Sequence, residues 1–238
     1  MLPKSRGCRE RLREVGALGW VNLGILTAAV ALFGIIAQEV ADGDHLPREQ
    51  ALMAQLRTGS PARPIGPVWM AQAARDITGL GSSAVLSGLS VLTVGFLALS
   101  RKFGAAVFFA VAAAGGQALN AALKSYYGRM RPDAEFRWVP IDSPSFPSGH
   151  ATSSAVIYLT LAVLLIRLTP ERSQKVYLIA AALLLSFCVG VSRVYLGVHY
   201  PTDVIAGWSI GVAWAEACWF VAHLLGRRRL ARTAAPSS

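Results

Sequence analysis

Three polar motifs in this chain hold the residue types that could bind and transfer a phosphoryl group. The motifs are Lys124–Pro132, Pro147–His150 and Ser192–Asp203. Between them they supply three cations, two histidines and one carboxylate: Lys124, Arg131, Arg193, His150, His199 and Asp203. Fixed cations can balance the charge of a transferring phosphoryl group, and a histidine can attack phosphorus or move a proton. Such a set could work without a metal ion.

The first motif follows a long apolar stretch. Lys124 ends that stretch, and Gly128 and Pro132 break the helix soon afterwards. Cations at the end of a membrane span often serve only as interfacial anchors. Arg129 shows no second signal, so it is interpreted as a surface or headgroup contact.

The second motif directly precedes another apolar stretch. Ser148 is a good N-cap and Gly149 allows close backbone approach, so both are placed to open a helix. The free N–H groups of a helix start form an anion site, and the macrodipole favours negative charge there. His150 would lie in the first turn, where a structural interfacial histidine is an equal alternative.

The third motif contains a charge inside the predicted outer end of a span. An unpaired Arg193 at that depth would be expensive, which suggests a function. If Pro201 starts the next helix, Asp203 lies in its first turn and can accept a hydrogen bond from the ring of His199. A carboxylate on one ring nitrogen makes the other a better base or nucleophile, although such a pair is often only structural.

Composition indicates an integral membrane protein. The 238 residues have a mean hydropathy of +0.46, and only 15% are charged. The net charge of +10 resides mainly in short segments beside apolar stretches, which argues for membrane topology and against nucleic-acid binding. The three cysteines, Cys8, Cys188 and Cys218, show neither disulfide nor metal-site spacing.

Six apolar stretches are long enough to cross a bilayer of roughly 30 Å as helices. They are Ala17–Val40, Leu80–Leu99, Gly104–Leu123, Ala151–Leu168, Val176–Leu196 and Val204–Leu225. The predicted fold is an all-α bundle of six transmembrane helices. Residues 1–16 form a basic leader, residues 17–225 form one membrane domain, and residues 226–238 form a basic and then disordered tail. Segment 41–79 is predicted to be mostly a solvated loop, with a possible short interfacial helix between Glu49 and Arg57.

Flanking charges predict the orientation of the bundle. Basic residues precede the first span, separate the second from the third, follow the fourth and follow the sixth. All four segments fall on one side, which the positive-inside rule makes cytoplasmic together with both termini. The motifs then face outward. Cations on that side run against the topology bias, and this favours an anion-binding role for them.

Two further intramembrane features are polar. Gln117, Asn120 and Lys124 share one face of the third span, where they could line the floor of a pocket or form interhelical hydrogen bonds. Glu216 lies roughly 20 Å along its helix from Asp203 at about 1.5 Å per residue. It is interpreted as a structural residue.

Order and spacing of the three motifs resemble the signature of the type 2 phosphatidic acid phosphatase superfamily. The resemblance extends from about Gly79 to Leu225, and the stretch Arg75–Ser82 is also similar to bacterial members. It implies a membrane-embedded bundle like that of the haloperoxidases, with its site at the outer membrane–water interface. It further implies no cofactor and no metal.

The resemblance assigns roles to eight residues. It implies that Lys124, Arg131 and Arg193 bind the phosphoryl oxygens, together with the backbone N–H groups of Ser148 and Gly149. The implied catalytic residues are His199 as nucleophile, Asp203 as its orienting partner and His150 as proton donor to the leaving oxygen.

The expected function is an outward-facing lipid phosphatase of the plasma membrane, with undecaprenyl pyrophosphate as the first candidate substrate. Phosphatidylglycerol phosphate and phosphatidic acid are rivals, and a lipid phosphotransferase would use the same groups. Vanadate-dependent oxidation is disfavoured because no large soluble scaffold is present. A lipid-binding or flipping protein is disfavoured because binding would need only the cations. The residues do not predict an oligomeric state.

Overall fold

Helices form most of the protein. A computed structural model describes residues 8–43, 46–59, 63–138 and 143–233. Its elements, in chain order, are α1 (Cys8–Asp42), α2 (Leu46–Gln55), β1 (Arg57–Thr58), β2 (Arg63–Pro64), α3 (Val68–Gly79), α4 (Ser83–Leu99), α5 (Phe103–Tyr127), a 3₁₀ turn (Ala134–Phe136), α6 (Gly149–Ile166), α7 (Arg172–Tyr195) and α8 (Pro201–Thr233). Within the described residues, six helical spans are long and apolar enough to cross a membrane, which confirms the predicted all-α bundle. The predicted disordered tail at 234–238 and the first seven residues of the leader lie outside the described residues.

Helix α6 is the centre of the bundle. It packs against α4, α5, α7 and α8, and α8 also contacts α1. Its apolar surface is buried in a cluster that includes Val156 and Ile157 from α6, Phe109 from α5 and Leu86 from α4. This position brings the first turn of α6 next to the end of α5, the end of α7 and the start of α8.

The prediction for segment 41–79 is partly wrong. The expected short helix is present as α2, but most of the remaining segment is ordered into a two-stranded hairpin and α3 rather than a solvated loop. Hydrogen bonds connect this segment to the third motif and to the loop that follows the first motif. Arg57 donates two hydrogen bonds to the carbonyl oxygen of Phe136, at 3.1 and 2.9 Å, and Tyr195 donates to the carbonyl oxygen of Ile65 at 2.7 Å. The segment therefore stabilises the loops at the motifs through these hydrogen bonds.

Two glycines set the distance between α6 and α8. A Cβ atom at Gly207 would lie 2.7 Å from the carbonyl oxygen of Ser148, and one at Gly211 would lie 2.8 Å from that of Thr152. Small residues four positions apart let two helix backbones approach closely within a membrane. The close approach places the second motif directly against the third.

We predict that Gly207→Ala lowers both the thermal stability and the activity of the protein. The added methyl group would force α6 and α8 apart, and overpacking of this kind costs about 1–3 kcal/mol. Thermal unfolding in detergent measures the effect. The matched control is Gly88→Ala in α4, where a Cβ meets no atom within 4 Å. Equal melting temperatures for the two variants would contradict the packing argument.

Candidate active site

The third motif forms a buried histidine–carboxylate pair. His199 lies in the turn between α7 and α8, and Asp203 lies in the first turn of α8, which begins at Pro201 as predicted. The His199 Nδ1 atom is 3.3 Å from Asp203 Oδ2, and both residues are almost completely buried. The predicted contact between the two side chains is therefore present.

The carboxylate of Asp203 has further donors on both oxygens. Oδ2 accepts hydrogen bonds from the backbone N–H of Tyr200 at 2.9 Å and from the hydroxyl of Ser145. Oδ1 accepts a hydrogen bond from Arg129 at 2.7 Å. A buried carboxylate needs such donors to offset the loss of hydration. They also fix its orientation toward His199.

The second ring nitrogen of His199 faces a cation of the first motif. When Nδ1 carries the proton and donates it to Asp203, Nε2 keeps its lone pair, and this atom lies 3.2 Å from Arg131 Nη1. Burial lowers the pKa of His199 to about 3, although hydrogen bonding and charge from Asp203 oppose the shift. The imidazole is therefore neutral near pH 7, as a nucleophile must be.

Two cations of the first motif converge on the segment before α6. Arg131 donates to the carbonyl oxygens of Ser143 and Val198, both at 2.6 Å. Burial lowers the pKa of Arg131 to about 10, so its guanidinium remains charged at neutral pH. Lys124 donates to the carbonyl oxygen of Pro144, and its side chain passes close to Gly149.

Arg193 completes the group of cations from inside the bundle. Only 2% of this residue is exposed, and its Nη1 atom donates to the hydroxyl oxygen of Thr78 at 3.1 Å. Its Nε atom has no hydrogen-bond partner among the described residues. Thr78 belongs to the Arg75–Ser82 stretch, and this hydrogen bond gives that stretch a physical role. A buried guanidinium with an unused donor is suited to bind an anion.

The start of α6 differs in one respect from the prediction. The backbone N–H of Ser148 donates to the carbonyl oxygen of Asp203 at 2.9 Å, so it is occupied rather than free for an anion. The Ser148 hydroxyl is buried and has no partner in the described part of the chain. Gly149 begins the helix, where N–H groups lack intrahelical acceptors. His150 follows it, packs beside Gly81 and lies within electrostatic reach of Arg193.

Sequence reasoning missed several residues at the site. The sequence predicts a surface or headgroup contact for Arg129, but its side chain is largely buried and forms ion pairs with Asp203 at 2.7 Å and with Glu49 at 2.6 Å. Nothing local marks Glu49, because it lies 80 positions before Arg129 in the chain. Ser145 precedes the second motif by only two residues, and its position in an irregular segment concealed its contact with Asp203.

The structure also tests the predictions for polar residues inside the spans and for a metal site. Asn120 donates to Thr152 Oγ1 at 3.0 Å, so the interhelical hydrogen bond describes it better than the pocket floor. The Glu216 Oε2 atom is buried and has no hydrogen-bond partner among the described residues, so the structural role of Glu216 stays a prediction. No group of three or more His, Cys, Asp or Glu side chains is placed to hold a metal ion within the described ranges.

The structure brings three cations and two histidines close together. Lys124 at the end of α5, Arg131 in the loop after it and Arg193 at the end of α7 lie within electrostatic reach of one another. His150, in the first turn of α6, lies within electrostatic reach of His199 and of all three cations. Phosphoryl transfer needs mainly positioning and compensation of charge, and this geometry supplies both.

Comparisons with known proteins identify the family of the chain and find phosphatases among its relatives. Residues 105–227 match the model of the PAP2 superfamily. Phosphatidylglycerophosphatase B from Bacillus subtilis is 35% identical over 150 residues, which cover 60% of this chain and 71% of the relative. The lipid A 1-phosphatase from Rhizobium johnstonii is 34% identical over 163 residues, covering 58% of this chain and 62% of that protein.

A solved structure extends the likeness to three dimensions. The crystal structure of a transmembrane PAP2 type phosphatidylglycerolphosphate phosphatase from Bacillus subtilis superposes with a TM-score of 0.74 at 28% identity. The match covers 85% of this chain and 96% of the other.

We predict that Thr78→Val weakens the binding of inorganic phosphate by roughly ten-fold, because the hydrogen bond that fixes the Arg193 guanidinium is lost. Isothermal titration of the detergent-solubilised protein with phosphate measures the effect. The control is Thr93→Val, since the Thr93 hydroxyl donates only to the Leu89 carbonyl oxygen within its own helix. Unchanged affinity in the Thr78 variant would show that the contact does not position Arg193 for an anion.

Proposed function

The chain belongs to the PAP2 superfamily, and on that basis we propose that it removes the terminal phosphate from a phosphate or pyrophosphate monoester of a membrane lipid through a phosphohistidine intermediate. The observation that supports this most strongly is the neutral, buried His199. Its Nδ1 atom faces Asp203, while its Nε2 atom faces the guanidinium of Arg131. A histidine in this state is an activated nucleophile next to a cation that can hold its target.

In the first half-reaction, Nε2 of His199 attacks phosphorus. A P–N bond forms while the P–O bond to the leaving group breaks. His150, which takes up a proton from solvent when the phosphate anion enters among the cations, donates that proton to the leaving oxygen. Lys124, Arg131 and Arg193 balance the charge on the phosphoryl oxygens. The entering phosphate replaces the carbonyl oxygens that Lys124 and Arg131 otherwise contact.

In the second half-reaction, water attacks the phosphohistidine. His150, now neutral, accepts a proton from that water, and the P–N bond breaks to release inorganic phosphate and restore His199. The buried Ser148 hydroxyl and the Arg193 Nε atom are donors that the phosphoryl group can satisfy. Gly149, in the first turn of α6, adds a backbone N–H to the same cradle.

Two lipid classes fit a site that recognises a terminal phosphate. The sequence favours undecaprenyl pyrophosphate, and the names of the Bacillus subtilis relatives favour phosphatidylglycerol phosphate equally. Phosphatidic acid presents the same group, and an alcohol in place of water would make the enzyme a phosphotransferase. The site's embedding among six membrane-spanning helices supports a lipid over a water-soluble phosphate ester.

We further propose that the site faces the exterior of the plasma membrane. The site is formed where α5 and α7 end and where α6 and α8 begin. The opposite ends of these helices carry the cations that favour the cytoplasm, including Arg101, Lys102, Arg172 and Lys175. Residues 17–225 then form one membrane domain with cytoplasmic termini.

We predict that His199→Ala lowers phosphate release by roughly 10⁴-fold or more, because the nucleophile is lost. Wild-type protein should retain activity in excess chelator and should yield an acid-labile, alkali-stable phosphohistidine after rapid quenching. His223→Ala is the matched control, since the His223 ring stacks on Trp219 toward the far end of α8. Near wild-type turnover in the His199 variant would refute the assignment of the nucleophile.

We also predict that right-side-out membrane vesicles release phosphate from externally added lipid, whereas sealed inverted vesicles do so only after detergent opens them. The lipids are undecaprenyl pyrophosphate, phosphatidylglycerol phosphate and phosphatidic acid, each added as a detergent-free dispersion so that the vesicles stay sealed, and the first two should be hydrolysed fastest. Preferential activity of sealed inverted vesicles would contradict the outward orientation.

A further inference from the structure

A buried charge network connects Glu49, which lies outside the three motifs, to the carboxylate of Asp203 through Arg129. Arg129 reaches two carboxylates at once, with Nη1 2.7 Å from Asp203 Oδ1 and Nη2 2.6 Å from Glu49 Oε2. The side chains of Arg129 and Glu49 are only 11% and 8% exposed. Charges buried to this extent need close partners, so the three residues depend on one another.

Glu49 also fastens α2 to the start of α8. Its Oε1 atom accepts hydrogen bonds from the backbone N–H of Thr202 at 3.0 Å and from the Thr202 hydroxyl at 2.7 Å. Thr202 immediately precedes Asp203, so this contact holds the helix turn that presents the carboxylate to His199. The first helix of the outward segment thereby reaches the catalytic pair through one intermediate side chain.

The positive charge of Arg129 is balanced by the two carboxylates that it contacts. Burial acts to lower the pKa of Arg129, but the carboxylates of Asp203 and Glu49 outweigh that effect and raise it. Arg129 therefore stays cationic between them. Alone, its positive charge would cancel much of the field that Asp203 exerts on His199. Glu49 offsets that charge, so the carboxylate is fixed in orientation without losing its electrostatic influence.

We infer that Arg129 and Glu49 are positioning residues for the phosphoryl-transfer step: Arg129 orients the Asp203 carboxylate toward His199, and Glu49 compensates the charge of Arg129. The inference rests on the proposed function, because it concerns the residue that prepares His199 for attack. Arg129 binds Asp203, which faces Nδ1, while the phosphoryl group is attacked by Nε2 on the other side of the ring. The pair should therefore affect kcat much more than KM.

The double variant distinguishes a positioning role of Arg129 and Glu49 from a purely structural one. Arg129→Met alone leaves two buried carboxylates without the cation between them, and one of them must then take up a proton. A proton on Asp203 removes the acceptor that orients His199. Adding Glu49→Gln removes the competing charge, so Asp203 can ionise again. If the pair only fastened α2 to α8, the double variant would be at least as impaired as the worse single variant.

The test measures phosphate release from dioctanoyl phosphatidylglycerol phosphate in detergent micelles by four proteins: wild type, Glu49→Gln, Arg129→Met and the double variant. We expect kcat to fall about 10-fold in Glu49→Gln and about 100-fold in Arg129→Met, which are the effects of losing charge-assisted hydrogen bonds of this kind. KM should stay within about 3-fold of wild type. The double variant should be several-fold more active than Arg129→Met.

Two further proteins make the test decisive. Arg63→Met replaces an exposed arginine of the same outward segment and should match wild type. Arg129→Lys replaces Arg129→Met in the test if the Met variant does not fold. The Lys ammonium keeps the positive charge but lacks the planar fork that reaches both carboxylates. We therefore expect kcat to fall again and KM to stay near the wild-type value.

The outcomes separate the inference from the function on which it rests. Wild-type protein that releases no phosphate and forms no phosphohistidine would refute the proposed function. Active wild type combined with wild-type kcat in Arg129→Met or Arg129→Lys would refute the inference alone. A double variant no more active than Arg129→Met, or losses confined to KM, would also overturn it.

Discussion

The buried carboxylate of Asp203 is the constraint on which the site depends. Its side chain accepts hydrogen bonds from the turn before α8, from the segment before α6 and from the loop after α5. Its backbone carbonyl oxygen also accepts the N–H of Ser148. A carboxylate this deeply buried is tolerated only when such partners are present. The need to satisfy one ionised group thus joins three segments that are distant in the sequence.

The packing of the helices fixes the relative positions of the motif residues. The Gly207–Gly211 face lets α8 approach α6 closely, and this brings Ser148 to Asp203. Thr78, at the end of α3, holds Arg193 inside the bundle. Cations that would repel one another in an unconstrained chain are therefore kept together. In the proposed reaction, a bound phosphoryl group would relieve that repulsion, and the prior organisation would allow electrostatic stabilisation of the transition state.

The sequence was informative where chemistry and hydropathy are local. Six spans follow from apolar length, and the pairing of His199 with Asp203 follows from a spacing of four residues across a helix start. Contacts between distant segments could not be read in the same way. Glu49 and Arg129 meet because α2 packs against the loop after α5. The prediction of a mostly solvated loop for residues 41–79 did not include this contact. The occupied N–H of Ser148 likewise depends on how closely α6 and α8 pack.

The central claim is that one tetrahedral phosphoryl group is held between His199 and the three motif cations. A crystal structure of the protein soaked with orthovanadate tests it most directly. The account predicts a trigonal-bipyramidal vanadate bonded to Nε2 of His199, with Lys124, Arg131 and Arg193 around its equatorial oxygens and His150 at the opposite apex. Vanadate bound elsewhere, or bonded to His150 with His199 turned away, would contradict it.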